Sequence, residues 1–116
     1  MSVNAEVLLR SHLQDDPDLP NAYMDTPPDR PARFVTVERI GGAEIDVRDF
    51  PVLAVQCWDV SRHAASELAN SVKESVVRLR AHPNVGRVVI DGCYNFPDLD
   101  SGTARYQVVV AMVTVD

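Results

Sequence analysis

The stretch ARYQVVVAMVTV at residues 104–115 constrains the fold more than any other segment. Its density of valine marks it as a strand. Extended, it puts Tyr106, Val108, Val110 and Met112 on one face and Gln107, Val109, Ala111, Val113 and Val115 on the other. An antiparallel strand with one wet face alternates apolar with polar. Here both faces are apolar for most of the length. Helices of this chain can cover one face. The other needs the arm at 15–33, the first helix, or a partner subunit.

The remaining elements follow from the same kind of pattern. Residues 52–58, VLAVQCW, form a strand with Leu53, Val55 and Cys57 on one side. Ser61 is the natural N-cap of a helix over 62–81. Its apolar stripe is Ala64, Ala65, Leu68, Ala69, Val72, Val76 and Leu79. The junction between this strand and helix is only three residues long, and its plain reading is a chain turned from a sheet onto the helix that covers it. Residues 34–40 and 85–91 are further strands, and GCYNFPDLDSG is a connecting loop rich in turn formers. A short amphipathic helix covers 3–14, with Val3, Val7, Leu8 and His12 at helical spacing and Ser2 or Asn4 as its cap.

The predicted order is helix-strand-strand-helix-strand-strand. It implies an α+β fold with a mainly antiparallel four-stranded sheet packed on helices. With 116 residues the chain supports one core, so 1–116 is one domain. Two segments stand outside the regular pattern. Residues 15–33 form a proline-rich arm whose Tyr23 and Met24 pin it to a surface of its own subunit or a neighbour. Residues 41–51 form an extended loop, or the tip of a long hairpin, after the Gly41-Gly42 break.

Net charge is −6, and residues 1–50 hold ten acidic against five basic side chains. No basic cluster is present, which argues against a nucleic-acid-binding surface. No apolar run approaches the ~20 residues of a membrane helix, and no secretory signal is visible. The chain is therefore expected to stay where it is made, with Cys57 and Cys93 reduced.

Chemistry is sparse. His12, His63 and His82 lack metal-ligand spacing, and two cysteines are too few for a metal site. No nucleophile elbow, phosphate loop or dinucleotide fingerprint occurs. Asp98 and Asp100 echo part of a calcium loop without its full ligand set, and a solvated turn is the simpler reading. No catalytic, cofactor or metal residue is assigned.

Three segments carry a family resemblance: PARFVTVERIGG at 31–42, DFPVLAVQCW at 49–58 and SRHAASELA at 61–69. Together they resemble the tail terminator, or tail completion, proteins of long-tailed bacteriophages, especially those of actinobacteria. Ten arginines against one lysine fit a GC-rich genome. The resemblance implies a small α+β virion subunit, without enzymatic activity or cofactor. Such subunits form a homo-hexameric ring at the head-proximal end of the tail, assembled in the host cytoplasm. The ring stops growth of the tube built from the major tail tube protein, meets the head-side connector protein, and lets DNA pass through its lumen without specific binding or any membrane contact. Carried onto this sequence, the loop between the first two strands gives Ile45, Val47, Arg48 and Phe50 as tube or channel contacts. Tyr23, Met24, Val109, Ala111 and Val113 are candidates for the subunit interface. A head-tail connector or neck protein, and a non-viral oligomeric ligand-binding domain, remain alternatives.

Overall fold

The computed structural model describes residues 3–115. The first helix, α1, spans Ala5–Gln14. Asn4 caps it, its Oδ1 accepting from the Val7 N–H at 3.2 Å. The buried face is Ala5, Leu9 and Leu13, one residue round from the expected Val3, Val7, Leu8 and His12 stripe. Leu8 is half-buried and Val7 is 45% exposed. Two polar contacts accompany this rotation: Glu6 Oε2 accepts from the Arg39 N–H at 2.8 Å, and His12 Nε2 donates to the Ser75 carbonyl at 2.7 Å. The larger leucines take the core at i, i+4 spacing.

Past α1, the chain turns at Asp16. The Asp18 N–H, with Arg78 beside it, holds the Asp16 carboxyl below the usual carboxylate range. The arm then adds a two-residue strand, β1 (Ala22–Tyr23), parallel to β2 (Phe34–Gly41).

Residues 34–59 form one long hairpin. Its arms are β2 with β3 (Glu44–Ile45), and β4 (Arg48–Asp49) with β5 (Val52–Asp59). Asp46 and Val47 make the turn, with Asp46 at φ 57°. The Gly41-Gly42 break does not end the pairing. Gly42 sits at φ 102°, and a Cβ there would lie 2.0 Å from the Phe50 carbonyl oxygen, so the hairpin neck closes only over glycine. Of the two sequence readings for 41–51, the hairpin tip is the observed one.

Ser61 caps α2 (Arg62–Val77), its Oγ accepting from the Ala64 N–H at 3.1 Å. The α-helix ends earlier than position 81, and Arg78–Ala81 continue as one 3₁₀ turn. The expected stripe is buried except for Ala64, which is half-buried. Strand β6 (Val85–Asn95) runs four residues past the expected end and absorbs the first part of the expected loop. Register shifts fall between Val85 and Arg87 and between Ile90 and Gly92, so Gly92 marks a bulge in the strand. The last strand, β7, covers Ala104–Val115.

Among the described residues the sheet has seven strands rather than four: the four long ones and the two-residue β1, β3 and β4. It is antiparallel except at β1. The long strands run β2-β5-β7-β6. The connection through α2 therefore carries the chain from β5 across β7 to β6. One register runs from Arg48 opposite Val115 to Asp59 opposite Ala104, so β4 and β5 act as a single edge along β7. Pro51 has no N–H to give, but its carbonyl accepts from Met112 at 3.0 Å and keeps that register.

The core joins Leu9 and Leu13 of α1, Leu68, Ala69, Val72 and Val76 of α2, and Val35, Val37, Leu53, Val55, Val88, Val108, Val110 and Met112 of the sheet. Both helices thus lie on one face. No helix among the described residues is long and apolar enough to cross a membrane.

The rotation of α1 is open to test. We expect Leu9→Ala to cost about 2–5 kcal/mol in urea unfolding and Val7→Ala to change stability by less than about 0.5 kcal/mol. Equal effects would place Val7 in the core and contradict the observed face.

Candidate functional site

With both helices on one face, the opposite face of the sheet is left to the arm and to solvent. Side chains there divide into three zones along the strands.

A relay of hydrogen bonds crosses the middle. Trp58 Nε1 donates to Thr36 Oγ1 at 3.1 Å, and that hydroxyl donates to Gln56 Oε1 at 3.0 Å. Gln56 Nε2 then donates to Gln107 Oε1 at 3.1 Å, and Gln107 Nε2 to Tyr94 Oη at 2.6 Å. All four long strands contribute. Each donor meets one acceptor, so the side chains have one consistent arrangement. Sequence reading missed this relay. The signal was two glutamines at same-face positions of neighbouring strands.

At one end of the face lies an aromatic and cationic cluster. Trp58 stacks on Phe34 with centroids 5.1 Å apart, and Tyr23 meets Phe34 edge-on at 6.1 Å. Arg30 and Arg105 lie over the Trp58 ring at 5.1 and 4.8 Å. Arg30 also pairs with Asp98, whose carboxyl is held below the usual range, chiefly by the Ser101 hydroxyl. These contacts tie the arm to its own sheet. Tyr23 is half-buried there, while Met24 remains 40% exposed. Asp98 and Asp100 lie in the loop between β6 and β7, where Asp98 Oδ1 accepts from the Asp100 N–H at 3.4 Å.

The other end is apolar. Phe50, Val52, Val89, Ala111 and Val113 line a groove of about 360 Å³, with Arg87 at its rim. Val109 continues this face towards the relay and is half-exposed. Neither the arm nor α1 is among the groove's lining residues, so neither of the covers offered by this chain closes it. Among the described residues, the Arg87 side chain has no hydrogen bond or ion pair.

The structure therefore regroups the sequence candidates. Val109, Ala111 and Val113 share the open face, as expected. Phe50 belongs with them rather than with the tip, because it lies beside Val113 in the groove. Ile45, Val47 and Arg48 lie at the hairpin tip, all exposed. Val89 and Arg87 were not singled out from the sequence, since VGRVVID alone does not show which side faces the helices.

A polar cleft of about 440 Å³ lies between the start of α1 and the hairpin neck, lined in part by Glu6, Arg39, Glu44 and Asp49. Its groups largely satisfy one another. Arg39 grips Asp49 in a two-pronged ion pair of 2.6 and 2.8 Å, and its guanidinium also donates to the carbonyls of Gly41 and Gly42. This cleft works as the joint between α1 and the hairpin. Cys57 and Cys93 are free thiols, and burial pushes the Cys57 thiol well up.

No protein-family model matches this chain, and no curated protein matches it in sequence.

The relay makes a testable statement about the open face. We expect Gln56→Ala, which strands the Thr36 hydroxyl and the Gln107 carbonyl, to destabilise the protein by about 1–3 kcal/mol in chemical denaturation. A loss no larger than that of Glu38→Ala, an exposed change on β2, would show that the relay carries no stability.

Proposed function

We propose that this protein is a structural subunit of a phage tail. It forms a six-membered ring at the head-proximal end of the tail tube, stops tube polymerisation and offers the joining surface for the head connector. The observation that carries this reading is the open sheet face. Phe50, Val52, Val89, Val109, Ala111 and Val113 stay partly exposed on it while both helices pack on the other side. An apolar face rimmed by charge is the form of a surface that another protein covers.

The resemblance of segments 31–42, 49–58 and 61–69 to tail terminator proteins supplies the particular assembly. The hairpin adds a second element. Its tip, with Ile45, Val47 and Arg48, projects past the end of the sheet, where the tube, the connector or an adjacent copy would meet it. A net charge of −6 suits a lumen through which DNA slides without being held.

Deletion of the gene in the source phage or prophage, followed by electron microscopy of the lysate, tests the reading. We expect overlong tail tubes without heads. Tails of normal length that fail to join heads would move the protein to the connector. Normal, infectious particles would overturn both assignments. A tube-protein gene with a very long tape-measure-like reading frame shortly downstream would support the tail assignment.

A further inference from the structure

The hairpin tip departs from what such a turn ordinarily shows to water. Turn residues are mostly polar, yet Ile45 is 58% and Val47 71% exposed. The same chain carries an unfilled apolar groove. Within one subunit the tip does not line the groove, because β3 and β4 continue the sheet and carry the tip past Val115.

Charge points to the same match. On β6, Val89 of the groove lies between Arg87 and Asp91, both exposed. On the tip, Val47 lies between Asp46 and Arg48, the same two signs in opposite order along the chain. Among the described residues, neither the Asp46 nor the Arg87 side chain has a hydrogen bond or ion pair.

We propose that the hairpin tip of one copy seats in the groove of a second copy. Ile45 and Val47 lie against Val89, Ala111 and Val113, and Asp46 faces Arg87. The tip and the groove are different patches, so the contact is head-to-tail. Such a contact closes into a ring when the rotation between copies allows it. The inference rests on the assembly reading above and names the partner of its open face. A short hairpin tip in a groove lined by seven residues is small beside the roughly 20–30 residues per side of a standard interface. It is therefore weak in free protein and strengthened on a template, and covalent trapping reads it better than equilibrium mass.

The test uses the full-length protein with Cys93→Ser, which leaves only the buried Cys57. A Val47→Cys chain is mixed with a Val89→Cys chain under mild oxidation. We expect interchain disulfide dimers at more than about threefold the yield obtained with Asn70→Cys, on exposed α2, in place of Val89→Cys. Adding Arg87→Glu to the Val89→Cys chain is expected to lower the yield about threefold. Adding Asp46→Arg to the Val47→Cys chain then restores it. These positions are surface-exposed or half-exposed, and circular dichroism checks that each variant folds.

A yield equal to the Asn70→Cys control overturns the contact. So does a yield indifferent to charge reversal at Arg87. Overlong tails on deletion combined with no trapped dimer would leave the assembly reading standing and free the tip for the tube. Trapped dimers from a gene whose deletion is harmless would keep the contact and remove the tail.

Discussion

Backbone pairing along both edges of β7 decides which side chains of this protein meet water. On one edge, β4 and β5 hold a single register from Arg48 to Asp59. On the other, β6 pairs from Val85 to Asn95 with two bulges. A slip of one residue would send Val108, Val110 and Met112 to the open face and Gln107 into the core. The register is fixed where a slip would be easiest. Pro51 gives its carbonyl to Met112, and Gly42 lets the hairpin neck close against Phe50. With the register set, α1 and α2 have one face to cover, and they bury most of it, leaving Ile90, Cys93 and Tyr106 half-buried.

The open face then acquires a gradient. Its lower end is packed by the arm, through Tyr23, Arg30 and the stacked Phe34 and Trp58. The Thr36–Gln56–Gln107–Tyr94 relay crosses the middle and satisfies its own polar groups. The upper end, next to the hairpin tip, is left apolar and open. The unsealed surface and the projecting element therefore stand side by side, which suits a subunit built to be covered by its neighbours in a larger assembly.

Much of this architecture was legible in the sequence. The four long strands, the Ser61 cap and the two-faced character of 104–115 are local patterns, and local patterns survive folding. The misreadings have local causes too. Gly92 looked like the start of a loop, because a bulge glycine and a turn glycine are alike in sequence. The stripe of α1 was turned by one residue, because Leu8 and Leu9 are equally apolar and only the packed partner decides between them. Phe50 was grouped with the hairpin tip by its position in the chain, and pairing with β7 moved it into the groove. The relay and the isolated Arg87 depend on strand neighbours far apart in sequence, which no window along the chain brings together.

The most direct test of the account is carbene footprinting of the open face, on the free protein and on purified phage particles. The account requires the protein to be present in the particles. It also requires Phe50, Val89 and Val113 to be labelled when free and protected when assembled, with Val60 at the far end of the sheet as an exposed reference. Equal labelling of the groove in both states, or particles that lack the protein, would contradict it.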